Sequence, residues 1–419
     1  MEVHEAAELL LSTARYEMTE AENEAIANRL VQRLQCLPLA VAQAGAYIAS
    51  SRRLDRYLEL YEDTAQRIQL LNRKPVQSDY EWSVYTTWQI SFKELSPRAA
   101  ELLQLCSFIH HSGITEEIFR HAALYKFTAE EETQLKEPLK FLTNLLSSSS
   151  SKWDSLKFIA LTTELGGYSL IEFEAGSGAI TFSIHPLVHE WCRTTLESKA
   201  STELCMQKLV GMSLSATDEF RFGHLVFPHL DALLFKGTED SAREPNILDL
   251  AFAEVYLRIY DEEGRWSDGV KLGNSVLQMA TPELQERKVL RIRRWLARMY
   301  RGHGHFDEAK ILGEQVLSRL TELVGEHDPD TLTSMGNLAL AYSDLGLFKK
   351  AEALQHTVLN KMREIRGDNH PDTVWPMANL ARTYSDLGQL KEAEELEARV
   401  LNKCREILGQ NHPHPPSHG

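Results

Sequence analysis

The chain has 419 residues, of which 43% are apolar and 25% are charged. This balance is that of a folded globular protein, and the length allows two or three domains. Lys and Arg number 45 against 60 Asp and Glu, giving a net charge of −15. Such a charge repels nucleic-acid phosphates and anionic membrane surfaces, so we predict neither as a partner.

The five cysteines are scattered and form no Cys-x-x-Cys pair. This usage disfavours a disulfide framework and a zinc ribbon and is typical of reduced thiols, so we predict a cytoplasmic protein. The N-terminus lacks the basic start and apolar stretch of a signal peptide. The most apolar window, residues 37–49, is too short for a bilayer and contains Gln43, which predicts a buried core helix.

Residues 22–50 predict an amphipathic helix, a Leu-Pro turn and a second, more apolar helix. The sequence Leu37-Pro38-Leu39-Ala40 resembles the Gly-Leu-Pro-Leu-Ala region of the NB-ARC type of signalling ATPase, with Cys36 in place of the Gly. The resemblance implies that this segment packs over the adenine of bound ADP and that Pro38 is a nucleotide contact. We assign residues 1–75 to a helical remnant of an NB-ARC region.

A second resemblance lies in FSIHPLVHEWC, residues 182–192. It is similar to the Met-His-Asp segment that closes the winged-helix part of those ATPases, with Ile184 and His185 in the Met and His places and Pro186 where an Asp often lies. The resemblance implies that His185 faces a nucleotide phosphate. We predict a winged-helix-like domain with a short β wing over residues 76–200, as in fungal receptors of this class, and a helical connector over residues 201–245.

Nucleotide hydrolysis is not expected of this chain. The phosphate-binding pattern G-x-x-x-x-G-K-[ST] does not occur, and no apolar strand ending in paired acids precedes Leu37. ADP would bind only if the missing nucleotide-binding core were supplied, so we predict no cofactor, no catalytic residue and no enzyme. His185 and His189 have the i, i+4 spacing of a zinc pair, but too few further ligands accompany them, and we predict no metal site.

The last third of the chain is repetitive. Two segments that begin at Gly325 and Gly367 are copies of one unit 42 residues apart. The matched positions are Pro329 with Pro371 and Pro413, Asn337 with Asn379, Tyr342 with Tyr384, Gly346 with Gly388, Ala351 with Ala393, and Leu359 with Leu401. Older copies contain Tyr300 and Gly304, and Tyr260 and Gly264, so residues 246–419 are predicted to hold about four units.

Each unit predicts two helices with a break at a glycine such as Gly346. The first apolar stripe is Leu332, Met335, Leu338, Tyr342 and Leu345, and the second is Ala351, Leu354, Val358, Met362 and Ile365. Aromatic residues at repeat positions, including Trp295, are predicted to pack between helices. The fold class is therefore mostly α, a winged-helix-like domain followed by an α-solenoid.

The signatures H-P-D-T and N-L-A-x-x-Y-x-x-x-G in residues 287–412 resemble tetratricopeptide repeats of the kinesin light chain kind. The resemblance implies that the first helix of each unit lines a concave groove and that Asn337 and Asn379 contact a bound peptide. Trp295 and Val255 stand in place of this Asn in the older units. Exposed helix surface without a ligand is the alternative for each Asn.

The order of these motifs is that of the back half of an NLR-like (NB-ARC/STAND) receptor, and we expect a truncated receptor or a gene fragment. The leading hypothesis is a sensor scaffold whose repeats bind a protein or peptide. The alternatives are a free-standing adaptor similar to kinesin light chain and a residual ADP-binding regulatory module. The identity of the partner and oligomerisation stay open.

Overall fold

The structure is a computed structural model that describes residues 1–16, 21–54, 56–61, 79–147, 152–175, 178–217, 219–236, 244–280, 286–368, 370 and 373–408. The chain divides into two compact units, Met1–Lys236 and Gly237–Gly419. Both are mostly helical, so the predicted mostly α fold class is confirmed. Among the described residues, no helix is long and apolar enough to cross a membrane.

The first unit begins with helices, and its first strand follows them. The elements whose bounds lie in the described residues include α1 (Val3–Ala14), α2 (Ala21–Arg33), α3 (Pro38–Ser51), α4 (Asp79–Glu94), α5 (Pro97–Cys106) and β1 (Ile114–Thr115). Helix α5 starts where Pro97 follows the cap Ser96, whose hydroxyl accepts the Ala99 N–H at 3.3 Å. The Ser cap supplies the acceptor that an N–H of the first turn lacks within the helix, and Pro97 has no N–H that would need one.

The rest of the first unit surrounds a small antiparallel sheet. Its elements are α6 (Glu116–Ala122), α7 (Ala129–Gln134), α8 (Lys136–Thr143), α9 (Ser155–Gly167), β2 (Glu172–Phe173), β3 (Thr181–Ser183), α10 (Pro186–Thr194), α11 (Lys199–Ser215), α12 (Phe220–Leu234) and β4 (Phe235–Lys236). The sheet order is β1-β3-β2, with Phe182 opposite Ile114 and Phe173. The winged-helix assignment of residues 76–200 stays a prediction, as do the predicted domain boundaries.

The core of this unit is aromatic. Phe158 packs against Phe119 with ring centroids 5.5 Å apart and against Phe182 at 6.5 Å. Trp88 and Trp191, from α4 and α10, approach to 5.6 Å. Burying several such side chains stabilises the unit by about 2 kcal/mol each before entropy is counted.

The second unit contains β5 (Glu244–Pro245) and four helix pairs among its described residues. These are α13 (Ala253–Glu262) with α14 (Trp266–Met279), α15 (Glu286–Gly302) with α16 (Phe306–Val324), α17 (Pro329–Asp344) with α18 (Phe348–Arg366), and α19 (Val374–Asp386) with α20 (Leu390–Leu408). Gly346 has φ +73° and Gly388 has φ +75°. This left-handed backbone ends the first helix of each pair, because only glycine adopts it without cost.

Small residues let the paired helices approach closely. Ala339 and Ala351 are fully buried, in one cluster with Leu338 and Tyr342. The predicted stripes are largely buried, but Ile365 is 45% exposed, which corrects the end of the second stripe. Met362 and Trp375 both pack against the cluster of Leu332, Met335 and Val358, whereas Ile365 lies beyond Met362 in the last turn of α18. Pro371 and Pro413 lie outside the described residues.

Candidate functional site

The first helices of successive pairs, α13, α15, α17 and α19, carry most of the residues of a candidate groove. Helix α17 starts at the cap Asp328, whose carboxylate accepts the Asp330 N–H at 2.9 Å, and Pro329 occupies the first turn. These features fix where the helix begins and so which side chains it aligns with α15 and α19.

Helix α15 bears five arginines spaced alternately four and three residues apart, namely Arg287, Arg291, Arg294, Arg298 and Arg301. This spacing places them on one face of a helix. They pair with acids on the two neighbouring first helices: Arg291 with Glu254 at 3.0 Å and Arg298 with Asp261 at 2.5 Å on α13, and Arg294 with Asp330 at 2.8 Å and Arg301 with Asp344 at 3.2 Å on α17. The arginine stripe thus joins three consecutive pairs.

Asp330 is the centre of this network. Its carboxylate accepts from Arg287 Nε and from Arg294 Nη1, both at 2.8 Å, and its side chain is only 12% exposed. Burial alone would raise the pKa of Asp330, but the hydrogen bonds from Arg287 and Arg294 outweigh it and hold that pKa below its ordinary value. The carboxylate therefore stays charged and orients both guanidinium groups.

A cavity of about 310 Å³ opens beside this stripe. It is lined by Arg294, Trp295, Arg298, Thr333, Asn337, Met362 and Trp375. The Arg298 guanidinium lies 5.8 Å from the centre of the Trp295 ring, a cation–π distance. The described lining combines apolar surface, two guanidinium groups and amide and hydroxyl groups, with no carboxylate.

The structure places the two predicted Asn contacts in different settings. Asn337 is partly exposed and lines the cavity. Asn379 is only 8% exposed, its Nδ2 has no hydrogen-bond partner among the described residues, and it is not part of this lining. Of the two, only Asn337 therefore has the access that a peptide contact requires in this cavity.

Sequence reasoning missed the two tryptophans of the lining. Trp295 was predicted to pack between helices, and Trp375 was not singled out; both are partly exposed in the cavity wall. Trp375 occupies the register position of Thr333, 42 residues earlier. The sequence does contain a signal for Trp295. It occupies the position of Asn337 in the preceding repeat, and this position is the one expected to face the groove.

The first helices also hydrogen-bond to the second helices that precede them. Tyr342 donates to Glu314 at 2.7 Å, and 42 residues later the Tyr384 hydroxyl lies 2.8 Å from His356 Nε2. Burial, followed by the bond to Glu314, raises the pKa of Tyr342 to about 12. These tyrosines therefore hold consecutive pairs in register as neutral side chains.

The nucleotide contacts predicted in the first unit lie on separate elements. Pro38 is the first residue of α3, and His185 caps α10, where its Nδ1 accepts the Leu187 N–H at 3.3 Å. Among the described residues, His185 makes no hydrogen bond or ion pair to the segment around Pro38. The structure places the two residues on different elements of the first unit, and their role in nucleotide binding stays a prediction.

The repeats match the sequence profile of the tetratricopeptide repeat over residues 288–355 and 330–406. Tetratricopeptide repeats are non-catalytic scaffolds for protein interaction, and the matched residues belong to this class of repeat. Residues 90–201 match a domain of unknown function, DUF7779.

A relative is described as a nucleotide-binding leucine-rich repeat (NLR)-like protein of Hyaloscypha variabilis. It is 33% identical over 118 residues, which cover 25% of this chain and 12% of that protein. The chain therefore spans a small part of the length of this relative. The predicted resemblance to an NLR-like protein with tetratricopeptide repeats is confirmed at this level.

Solved structures of low similarity have the same kinds of repeats. A putative kinesin light chain with TPR-like repeats from Podosopora anserina is 22% identical, covers 50% of this chain and 96% of its own, and gives a TM-score of 0.36. A STAND protein with a tetratricopeptide repeat sensor from Pyrococcus horikoshii is 12% identical, with coverages of 98% and 54% and a TM-score of 0.41. Scores this low carry no argument about function.

Proposed function

We propose that the cavity beside the arginine stripe binds an extended peptide segment of a partner protein, and that the chain acts as an interaction scaffold. The observation that carries the proposal is the lining itself, which combines Asn337 with two guanidinium groups and with the partly exposed Trp295 and Trp375. An amide can bind peptide backbone groups, and tryptophans supply apolar contact area at low entropic cost. A cytoplasmic location is part of the proposal.

The arginine side chains of the stripe are already held in place by ion pairs, so a peptide can bind without a large rearrangement of the cavity wall. Arg294 and Arg298 are each fixed by an acid on a neighbouring helix, at 2.8 and 2.5 Å. Side chains that are already ordered lose less conformational entropy when a ligand arrives. The groove is therefore expected to bind as a rigid surface.

Selection of peptides from a random library displayed on phage tests this proposal. The purified chain is the bait, and enriched peptides are measured against Asn337→Ala and Trp375→Ala. Glu394→Ala is the matched control, because Glu394 is exposed on α20, away from the cavity. We expect enriched peptides to lose at least about tenfold in affinity in both groove variants and to bind the control as they bind the original chain. Equal affinity of the peptides for all three variants would show that they bind outside this cavity.

Within this function, we propose that the chain is the regulatory and sensor part of an NLR-like signalling ATPase. The 33% identity to the NLR-like relative supports this choice. The second candidate, a free-standing adaptor, is supported by the repeats alone, and a residual ADP-binding module is the third. Titration calorimetry with ADP, using His185→Ala as control, separates the residual module from the two scaffold functions. ADP binding that this variant abolishes favours the residual module, and no ADP binding leaves the sensor and the adaptor.

A further inference from the structure

A loop of the first unit, residues 107–113 between α5 and β1, is held by side chains from other elements. The Ser107 carbonyl accepts from Arg193 Nε, the Ile109 carbonyl lies 2.8 Å from His189 Nε2, and the Gly113 carbonyl lies 2.9 Å from His229 Nε2. We name His189, Arg193 and His229 the loop clamp. All three act on backbone oxygens of one seven-residue stretch.

The chemistry of the clamp fixes the tautomer of both histidines. A carbonyl oxygen can only accept, so His189 and His229 must each carry their proton on Nε2. The Nδ1 of His189 then accepts from Arg193 Nη2 at 3.2 Å. The Nδ1 of His229 is buried without a hydrogen-bond partner among the described residues, and the residue is 1% exposed. Protonation would leave both Nε2–H donors in place, but it would remove the acceptor of Arg193 on His189 and would charge the buried ring of His229.

Adding a second proton to either ring, on its Nδ1, is energetically costly. On His189 it would put an N–H against the Arg193 guanidinium, and on His229 it would bury a charged N–H without an acceptor. Burial is the largest influence on the pKa of both histidines, although Glu174 opposes it at His229. The titratable and charged groups that face the clamp are His110, His111, Glu174, His185, Glu190 and Glu203.

We propose that these side chains form an acid-sensitive clamp, which holds residues 107–113 in place while the two histidines are neutral and releases them when the histidines are protonated. Release exposes Phe108 and Ile109, which are 7% and 0% exposed in the closed arrangement. The device lies in the first unit and does not depend on the peptide function proposed for the repeats.

The direction of the pH effect follows from proton linkage. Burial, with Arg193 as the next contribution, lowers the pKa of His189 to about 4, and burial also lowers the pKa of His229. In the released loop both return toward the ordinary histidine pKa, about 6.5, so the released state binds more protons. The closed loop is fully favoured above that value and loses stability as the pH falls toward 4.

Hydrogen–deuterium exchange of the full chain, corrected for intrinsic exchange rates, measures the opening of the loop. From about pH 7.5 to about pH 5, His189 alone should raise the opening equilibrium of residues 107–113 by about 30-fold, given a pKa of about 4 closed and about 6.5 open. Peptides from α17 provide the reference within the same molecule. A change in the loop no larger than that in α17 would overturn the proposal.

Variants assign the effect to the clamp. In His189→Gln and His229→Gln, the amide can still donate to the carbonyl but does not titrate, so each should reduce the pH dependence of loop opening. His224→Gln replaces an exposed histidine of α12 and should leave the pH dependence unchanged. Variants that fold and retain the original pH profile would contradict the proposal. If neither clamp variant folds, the pH profile of the unchanged chain decides.

Discussion

The indole of Trp375 occupies the space that a side chain at Gly336 would need. A Cβ placed on Gly336 would lie 2.1 Å from Cη2 of Trp375, well inside van der Waals contact. Trp375 belongs to the first helix of one pair and Gly336 to that of the preceding pair. This close approach lets the indole reach the cavity wall next to Met362.

We therefore expect Gly336→Ala to displace the indole and to lower the free energy of unfolding by about 1–3 kcal/mol, because overpacking outweighs the gain in helix propensity. Gly313→Ala is the matched control. Its Cβ would meet only the Leu338 methyl group Cδ1, at 3.2 Å, so its stability should be unchanged or higher. Denaturant unfolding measures both, and equal effects in the two variants would refute the packing argument.

Gln355 is predicted to be a destabilising residue of the repeat interior. It is fully buried, and neither its Oε1 nor its Nε2 has a hydrogen-bond partner among the described residues. Gln355→Leu should raise the free energy of unfolding by about 1 kcal/mol, since it removes unpaired polar groups at similar volume. The equivalent residue 42 positions later, Glu397, is exposed, and Glu397→Leu should give no such gain in thermal or denaturant unfolding.

The arginine stripe gives a prediction about charge. Asp330→Asn removes the charge that pairs with Arg287 and Arg294, and should cost about 1–3 kcal/mol because the Arg294 and Asp330 side chains are largely buried. Glu286→Gln breaks an exposed pair with Arg319 and should have no measurable effect. A comparable loss of stability in both variants would show that burial does not determine how much these ion pairs contribute.

The same carboxylate sets a pH dependence. Because the pKa of Asp330 is held below its ordinary value of 3.8, its contribution to stability is fully present above that value and is lost as the pH falls through the folded pKa. Between about pH 5 and about pH 2.5, the free energy of unfolding should fall by less in Asp330→Asn than in the original chain. If the free energy of unfolding falls equally in both proteins, the loss of stability in acid comes from other carboxylates.

The repeat half of the fold could be predicted from sequence because its signals are local and periodic. Identical spacing of Asn337 with Asn379 and Gly346 with Gly388 gave the helix pairs and the turns. The solvent exposure of individual side chains could not be predicted in this way, since it depends on which helix packs against them. Leu359 is 2% exposed beneath Met377, whereas its register equivalent Leu401 is 47% exposed.

The candidate site was predicted only in part. Repeat register pointed to Asn337, but it could not distinguish Asn337 from Asn379, because both stand in the same M-x-N-L-A pattern and differ in burial. Likewise, the loop clamp joins His189 and His229 to carbonyls 80 and 116 residues away. Contacts of such separation leave no periodic trace in a single sequence.

The most direct test of the central claim is the affinity of a selected peptide for the full chain, measured by titration calorimetry beside Asn337→Ala and the control Glu394→Ala. Peptide binding in the groove predicts a loss of at least about tenfold for Asn337→Ala and none for the control. Unchanged affinity in Asn337→Ala, in a variant that unfolds like the original chain, would contradict the claim that this cavity is the binding site.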